Sequence, residues 1–268
     1  MDMLDAMKSE VESVPFPDRK SALIAYRNSE RERLRVGNLF QLIPARGETA
    51  LDIGARDGFL SLRLAERFKS VTALDLERLE IDHPAVSCMQ GDAASIDAPD
   101  GSFDVVLCAE VLEHIPPPKL SAVCAEIFRV SRDCVVIGVP YRQDTRFGRS
   151  TCASCGGRNP PWGHVNVFDE MNLQALFPGL RAEKISLIGS SRERTNFLSA
   201  FLMDLAGNPY GTYGQTEGCV HCGTKLEAPA RRTLPQRAAS FAGHRLQVLA
   251  SRFAAPRPIW MHILFRKS

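Results

Sequence analysis

The sequence predicts an α/β fold built on a mostly parallel β-sheet with helices on both faces. Short apolar runs alternate with stretches of helical periodicity from residue 50 onward. The first apolar run leads into a glycine turn, Gly54-Ala55-Arg56-Asp57-Gly58, and the second closes on an acidic residue, Asp75. Strand, glycine turn, helix, strand and acid, in this order, form a typical binding site for an adenosine-bearing ligand.

The elements before this turn are predicted from prolines and from apolar spacing. Residues 1 to 18 are predicted to be loosely ordered, because Pro15 and Pro17 break any helix there. Apolar residues recur on shared helical faces from Lys20 to Ile43, which predicts a long helix that ends at Pro44.

The remaining elements follow the alternation of apolar runs and helical stretches. Short apolar runs predict strands, in order, at Ala50–Ile53, Val71–Leu74, Val86–Met89, Phe103–Cys108, Cys134–Val139, Lys184–Ile188 and Ile259–Arg266. Apolar spacing at the helical period predicts helices at Phe59–Phe68, Pro118–Val130, Glu170–Leu176 and Arg237–Phe253. Two stretches, 141–166 and 190–235, are rich in turn residues and fall outside this alternation.

Three later motifs make the first turn specific. Asp75 is followed by Gly91-Asp92-Ala93, then by Asp100-Gly101-Ser102-Phe103-Asp104 and by Glu110-Val111-Leu112-Glu113-His114-Ile115. Their order and spacing resemble the class I S-adenosylmethionine-dependent methyltransferases, closely from residue 50 to 139 and loosely elsewhere. The resemblance implies a Rossmann-like, seven-stranded sheet whose last strand is antiparallel. A nicotinamide-dependent enzyme is the weaker alternative, because its G-x-G-x-x-G turn is absent.

The resemblance also implies a cofactor site for S-adenosyl-L-methionine. The matching positions are Asp52, Gly54, Arg56, Gly58, Asp75, Leu76, Asp92, Ala93, Ala109 and Glu110. Asp52 would face the methionyl ammonium, Asp75 would bind the ribose hydroxyls, and Leu76 would lie against the adenine. Arg56 departs from the family pattern, which has glycine there, so its side chain must point away from the cofactor or fold over its carboxylate. Strand capping is the alternative role for Asp52 and Asp75.

His114 and His164 are the candidate catalytic residues. Methyl transfer from a sulfonium is an in-line displacement that requires positioning and, for some acceptors, a base. His114 follows the fourth strand, where related proteins carry a histidine that is often structural. His164 lies in a G-H-x-x-x-F segment before the next helix, a position that lies beside the acceptor pocket in similar enzymes. Capping or core packing is the alternative role for His164.

Four of the eight cysteines form two C-x-x-C-G pairs, in which Cys152 and Cys155 precede Gly156 and Cys219 and Cys222 precede Gly223. Two such pairs predict a structural Zn²⁺ site with four thiolate ligands, which must bring the two irregular stretches together. Disulfides are the alternative, disfavoured because we expect a cytoplasmic protein. The remaining cysteines are predicted to be small buried hydrophobic residues, at positions 88, 108, 124 and 134.

The charge distribution is one-sided at the end of the sequence. The net charge is +2, yet residues 228–268 contain no Asp or Glu and eight Arg or Lys residues. This predicts either a solvated arginine-rich face or contact with an anionic partner such as nucleic acid or a bilayer surface. The N-terminal residues lack the basic and apolar pattern of a secretion signal, and no apolar run reaches the roughly 20 residues of a membrane span.

These observations predict a domain organisation in four parts. The parts are an N-terminal helical lid over 1–48, a methyltransferase core over 49–140, 167–189 and 258–268, a zinc-binding acceptor lobe over 141–166 and 190–235, and a basic amphipathic helix over 236–257. The predicted activity is methyl transfer to an O or N atom of a small-molecule, saccharide-type or lipid-type acceptor. An RNA methyltransferase and a non-catalytic binding protein are the alternatives.

Overall fold

A computed structural model describes residues 25–215 and 217–267. Its helices are α1 (Glu30–Leu42), α2 (Phe59–Ala65), α3 (Pro117–Val130), α4 (Glu170–Ala175), α5 (Phe197–Leu205) and α6 (Leu234–Phe253). Its strands are β1 (Gly47–Ile53), β2 (Phe68–Asp75), β3 (Val86–Gln90), β4 (Phe103–Ala109), β5 (Ser131–Pro140), β6 (Ser150–Thr151), β7 (Arg158–Asn159), β8 (Leu180–Ile188) and β9 (Trp260–Lys267). The predictions for residues 1–24 lie outside the described residues.

Seven strands form one sheet in the order β3-β2-β1-β4-β5-β9-β8. The first five strands run parallel to one another, whereas β9 is antiparallel to both β5 and β8. The seven strands and the antiparallel last strand are confirmed. Because the chain order reverses between β1 and β4, the carboxyl ends of these two strands flank the crevice where open α/β sheets bind ligands.

Two apolar layers cover the faces of the sheet, as the alternation predicts. On one face, Leu51, Val106 and Ile137 pack against α3 and α4 residues such as Ile127 and Leu173. On the other face, Ala50, Leu107 and Val136 pack against α1 residues such as Leu39 and α2 residues such as Leu64. Alternate strand residues point to opposite faces, so both faces of the central strands are apolar and buried.

The structure corrects the predicted end of one helix and the burial of one cysteine. Helix α2 stops at Ala65 rather than Phe68, because Phe68 begins β2 and its ring packs directly against Gly47. Cys88 is exposed on β3, since this edge strand has few apolar neighbours. The cysteines at 108, 124 and 134 are buried, as predicted.

Helix α5 lies inside a stretch for which the sequence predicted no element. Asn196 caps it: its side chain accepts a hydrogen bond from the Ser199 N–H at 2.8 Å, and the Ser199 hydroxyl accepts one from the Asn196 N–H. Apolar spacing did not reveal the helix, because Phe197, Leu198 and Phe201 are all exposed. The Asn-x-x-Ser capping pair was the available signal.

Helix α6 begins three residues before its predicted start. Thr233 caps it in a reciprocal pair with Gln236, which moves the start to Leu234. The helix packs on α5 through Ser240 and Gly243.

The two cysteine pairs belong to a small unit, called here the cysteine lobe, that comprises residues 150–159, 207–215 and 217–226. Strands β6 and β7 form a two-stranded antiparallel ladder beside Cys152. The apolar core of the lobe consists of Cys152, Cys219 and Leu226, with Tyr213 packed against them. Across residues 25–215 and 217–267, no helix has the length and apolar character needed to cross a bilayer.

Candidate active site

The glycine turn between β1 and α2 packs tightly against the segment that follows β4. Gly54 and Gly58 both have positive φ, 72° and 74°, which L-residues other than glycine rarely adopt. A Cβ atom on Gly54 would lie 2.5 Å from Cγ2 of Val111, and one on Gly58 would lie 2.5 Å from Cδ1 of Ile81. Glycine is therefore required at both positions, and the turn is in direct contact with the Glu110–Ile115 segment.

Arg56 keeps the backbone conformation of the glycine that it replaces. Its φ is 53°, and its N–H donates a hydrogen bond of 2.8 Å to Oδ2 of Asp75. Its side chain is exposed, and its positive charge contributes to lowering the pKa of His114. The arginine therefore leaves the shape of the turn intact and extends toward the histidine that follows β4.

The acid at the end of β2 stands beside an exposed apolar side chain. Asp75 accepts hydrogen bonds from the N–H groups of Arg56 and Glu77, at 2.8 and 3.1 Å. Leu76 follows with 70% of its surface exposed, although it adjoins a buried strand. The carboxyl end of β2 therefore presents a half-exposed carboxylate next to an exposed leucine.

Asp52 lies below the turn rather than on its surface. It is 1% exposed, and its Oδ2 accepts a hydrogen bond of 2.6 Å from the Ser61 hydroxyl. Burial raises the pKa of Asp52 to about 7, while the bond from Ser61 opposes that rise. Burial therefore favours the neutral form of this carboxyl group, and a cation placed nearby would favour the charged form.

Asp92 and Ala93 follow β3, at the same edge of the sheet. Asp92 accepts a hydrogen bond from the Ala94 N–H at 2.9 Å and forms an ion pair with Lys119 at 2.9 Å. The bond from Ala94 and then the Lys119 ammonium lower the pKa of the Asp92 carboxyl. Ala93 is buried against the sheet, so it lines the edge without a polar contact of its own.

Ala109 and Glu110 end β4 next to the glycine turn. Glu110 has a φ of 59°, and its Oε2 accepts a hydrogen bond of 3.1 Å from the indole N–H of Trp260. Its Oε1 is buried and has no hydrogen-bond partner among the described residues. Burial raises the pKa of the Glu110 carboxyl, and the positive charge of Arg35 opposes that rise.

The described part of the N-terminal segment contacts the turn. Arg27 forms ion pairs with Asp57 at 2.9 Å and with Glu32 at 2.7 Å, and its guanidinium lies over the Phe59 ring at 4.3 Å. Tyr26 precedes it, with 45% of its surface exposed. This segment therefore covers the start of α2.

His114 and His164 are brought together, although 50 residues separate them in the sequence. Their rings meet edge to face with centroids 4.6 Å apart, and Nδ1 of His164 lies 2.5 Å from Oε1 of Gln143. Burial lowers the pKa of both imidazoles, that of His164 to about 3, so both rings are neutral at pH 7. His164 also lines a cavity of about 380 Å³ between this segment and the cysteine lobe.

Glu113 was not singled out from the sequence, yet it is the most unusual side chain of the region. It is 0% exposed, and neither carboxylate oxygen has a hydrogen-bond partner in the described part of the chain. Its carbonyl oxygen accepts hydrogen bonds from the N–H groups of Val165 and Asn166. Burial, with the negative charge of Glu110, raises the pKa of the Glu113 carboxyl. A glutamate inside the apolar run Val111-Leu112-Glu113 was the available signal.

The four predicted metal ligands converge. The Sγ atoms of Cys152, Cys155, Cys219 and Cys222 all lie within 4.8 Å of one another. The Cys152–Cys222 and Cys155–Cys219 pairs are 3.7 and 3.6 Å apart, too far for disulfides and close to the edge of about 3.8 Å expected for a tetrahedron of Zn–S bonds.

The glycines after the two cysteine pairs adopt the left-handed backbone conformation. Gly156 and Gly223 have φ values of 69° and 74°. The N–H of Gly157 then points at Sγ of Cys155, and that of His221 points at Sγ of Cys219, each at 3.4 Å. Backbone N–H groups facing the sulfurs are what a thiolate site requires.

Comparison with known proteins agrees with this architecture. Residues 51–134 match the family model described as a methyltransferase domain. This segment of the chain is therefore similar to a methyltransferase domain. The "Ubiquinone biosynthesis O-methyltransferase" of Stutzerimonas stutzeri is 32% identical to it over 111 residues, which are 36% of this chain and 46% of that protein. The chain therefore spans about half the length of the curated relatives that it matches.

Solved structures share this fold at low sequence identity. A SAM-dependent methyltransferase from Archaeoglobus fulgidus superposes with a TM-score of 0.51 at 18% identity, covering 93% of this chain and all of the other. The [4+2]-cyclase SpnF superposes with the same score at 16% identity, covering 87% of this chain and 79% of the cyclase. Such identities establish the fold alone, and the site must carry the functional argument.

Proposed function

We propose that this protein transfers a methyl group from S-adenosylmethionine to an oxygen or nitrogen atom of a small-molecule acceptor. One observation carries the proposal: the Arg56 N–H donates to Asp75, which joins the glycine turn and the predicted ribose-binding acid at the carboxyl edge of the sheet. The match of residues 51–134 to a methyltransferase domain supports the same assignment. The curated relatives are named as O-methyltransferases, which favours oxygen as the acceptor atom.

The residues around the turn have the chemistry that the cofactor requires. Asp75 would accept hydrogen bonds from the ribose hydroxyls, and the exposed Leu76 would cover one face of the adenine. Asp92 would approach the adenine amino group, and Glu110 with Ala109 would line the methionine end. The ammonium of the cofactor would favour the charged form of Asp52 and so would lower its pKa from about 7.

The acceptor is proposed to enter the cavity beside His164. Arg149 and Arg158 line this cavity, and both form ion pairs with Asp204 at 3.0 and 3.2 Å. Two guanidinium groups and one carboxylate together carry a net positive charge. This charge suits a polar acceptor of small-molecule, saccharide or lipid-headgroup type. A neutral His164 or His114 could accept a proton from such an acceptor.

The cysteine lobe is proposed to hold a structural Zn²⁺ ion. Its four sulfurs have the spacing of a tetrahedral thiolate site, and four protein ligands leave no coordination position for substrate. The ion would link residues 150–159 to residues 217–226 and so fix one wall of the acceptor cavity.

Calorimetry with S-adenosylmethionine tests the proposal directly. We expect binding of one equivalent, and transfer of radiolabelled methyl to a hydroxyl-bearing acceptor from a panel of phenols and sugars. No heat at millimolar cofactor would refute the assignment and would favour a non-catalytic binding protein. Arg56 departs from the glycine of the family pattern, but its preserved left-handed backbone weakens that alternative.

RNA methylation is the second candidate, favoured by the basic helix α6. Its exposed side includes Arg245 and Arg252 together with Phe241 and Phe253, and no acidic residue follows position 227. An RNA acceptor would bind with a steep dependence on salt, whereas a small acceptor would not. The same face would suit peripheral contact with an anionic surface, which co-sedimentation with anionic vesicles would reveal.

A further inference from the structure

Helices α5 and α6 bury small residues and expose large apolar ones. On α6, Ser240 and Gly243 are buried, and a Cβ atom on Gly243 would lie 3.2 Å from the carbonyl oxygen of Ser199 on α5. On α5, Ser199 and Ala200 are buried in turn. A helix whose outer side contacts only water normally has the opposite pattern, with its apolar residues directed inward. The outer sides of this helix pair are therefore suited to a less polar environment than water.

The large apolar side chains on the outer sides of the two helices form what we call the α5–α6 surface. Each of them is between 49% and 81% exposed, and they are Phe197, Leu198, Phe201 and Leu205 on α5 and Leu234, Phe241, Val248, Leu249 and Phe253 on α6. Leu234, Phe241 and Val248 follow one another at intervals of seven residues, about two helical turns, so they lie in one stripe along α6. Single exposed apolar residues are ordinary in proteins, whereas a group of this size indicates a binding surface.

The charges beside these apolar side chains are mostly positive. Arg237, Arg245 and Arg252 are exposed on α6, and the Arg245 guanidinium lies over the Phe241 ring at 5.2 Å. No Asp or Glu occurs between residues 228 and 268. The one acid of α5, Asp204, forms ion pairs with arginines of the preceding loop and of β7. The α5–α6 surface therefore combines apolar side chains with arginines that have no acid on α6 to pair with.

We propose that the α5–α6 surface docks on an anionic phospholipid bilayer. Helices that bind at the bilayer interface bury apolar side chains at the boundary of the acyl chains, while their arginines contact lipid phosphates. A second copy of the chain fits this surface less well, because a symmetric contact would bring arginines of the two copies together without acids between them. RNA also fits less well, because bases stack on aromatic rings and would leave Leu234 and Val248 in water.

The α5–α6 surface adjoins the cavity proposed for the acceptor. Phe197 and Phe201 line a cavity of about 200 Å³, together with Arg149 and Arg158. The same two arginines line the larger cavity beside His164. Docking would therefore bring the polar end of a membrane lipid close to these guanidinium groups. This consequence rests on the proposed function: the methyl acceptor would be the head group of a membrane-borne amphiphile, rather than a freely diffusing sugar or phenol.

Flotation of the intact protein with lipid vesicles tests the docking surface. We expect the protein to float with vesicles of equimolar phosphatidylcholine and phosphatidylglycerol, and to stay largely unbound with phosphatidylcholine alone. Phe197→Ser and Phe241→Ser should each lower the partition coefficient at least about tenfold, because each removes one phenyl side chain from the bilayer. Arg245→Gln should lower it about fivefold. Leu34→Ser, at an exposed position of α1 outside this surface, is the matched control and should leave it unchanged.

Three outcomes would overturn the docking proposal. The first is no binding to the anionic vesicles, or unchanged binding in either Phe variant. The second is a dimer in analytical ultracentrifugation that Phe241→Ser dissociates, which would assign the surface to a second copy of the chain. The third is binding of polyuridylate in place of vesicles, lost in Arg245→Gln and kept in Phe197→Ser, which would assign the surface to RNA.

Calorimetry with S-adenosylmethionine on the same samples separates docking from the proposed function. Phe197→Ser and Phe241→Ser should bind the cofactor within about twofold of wild type, because neither residue belongs to the cofactor turn. Vesicle binding without cofactor binding would refute the methyltransferase proposal and leave the docking surface standing. Cofactor binding without vesicle binding would overturn the docking surface alone.

Discussion

The sheet and the cysteine lobe differ in the amount of apolar surface that each buries. Two layers of Val, Leu, Ile and Phe side chains cover the faces of the sheet, and most of them are fully buried. The lobe has a core of Cys152, Cys219 and Leu226, with Tyr213 beside it. Burial of apolar surface is the main stabilising contribution in proteins, so the sheet can fold on its own core. A unit as small as the lobe depends on crosslinks or a metal ion.

The difference teaches where each kind of residue matters. In the sheet, stability comes from many buried side chains that each contribute a similar amount. The polar residues at its carboxyl edge are therefore available for ligands. In the lobe, four sulfurs take the place of a core. Substitutions in the two regions should therefore have different effects on stability and binding. Four experiments examine this contrast.

The largest effect is expected when the lobe loses its metal. Cys219→Ser, or a strong chelator, should remove the bound zinc and unfold the lobe, because zinc binding contributes on the order of 10 kcal/mol to small thiolate sites. The sheet should keep its circular dichroism and its own thermal transition. Elemental analysis and thiol reactivity report the loss. Cys88→Ser, at an exposed cysteine of β3, is the matched control. Absence of stoichiometric metal in gently purified wild type would contradict this account.

Truncation of a central core residue should act on the whole domain. Leu107 of β4 is fully buried, so Leu107→Ala should lower the free energy of unfolding by about 2–5 kcal/mol. Urea denaturation measures this change. Val220→Ala, at an exposed position of the lobe, should change it by less than about 0.5 kcal/mol. Similar values for the two variants would show that the lobe and the sheet share one core.

The pH dependence of stability should reveal the buried Asp52. Burial raises its pKa from 3.8 to about 7, so between these values the native state holds a proton that the unfolded state has lost. The contribution of Asp52 to stability therefore falls as pH rises from about 4 to 7, by at most about 4 kcal/mol. Asp52→Asn should flatten this slope and be the more stable variant above pH 7. If the stability of the wild type and of Asp52→Asn depended on pH with the same slope, Asp52 would be charged and exposed to solvent.

The smallest of these effects concerns the cofactor. Asp75→Ala should weaken S-adenosylmethionine binding by about 1–3 kcal/mol, roughly 5- to 150-fold, through loss of charge-assisted hydrogen bonds. Asp75→Asn keeps an acceptor for the Arg56 N–H and should lose less. Asp97→Ala, at an exposed acid of the same half of the sheet, is the control. Unchanged affinity in Asp75→Ala would exclude this residue from the ribose site.

Most of the sheet could be predicted because its signals are local. An apolar run such as Phe103–Ala109 encodes a buried strand, and a glycine with positive φ such as Gly54 encodes the turn. Metal-ligand spacing likewise encodes the cysteine cluster, although Cys155 and Cys219 are 64 positions apart in the sequence.

The features that could not be predicted depend on tertiary contacts. Helix α5 could not be predicted from apolar spacing, because its exposed side also carries apolar residues such as Phe197. The sequence therefore lacks the alternation of apolar and polar faces that marks an amphipathic helix. The contact of His114 with His164, and the burial of Glu113 beside them, arise only when the loop before α4 folds onto the segment after β4. The predicted apolar face of the C-terminal helix is also not fully packed, because Leu249 and Phe253 are exposed and Leu246 is half-buried.

The position of β9 has a consequence for synthesis of the chain on the ribosome. Strand β8 joins the sheet through β9, which is inserted between it and β5. Until residues 260–267 have left the exit tunnel, β5 exposes an unpaired edge and β8 has no neighbouring strand in the sheet. The nascent protein thus displays two unsatisfied strands until β9 emerges, a state that invites association with other nascent chains or capture by chaperones.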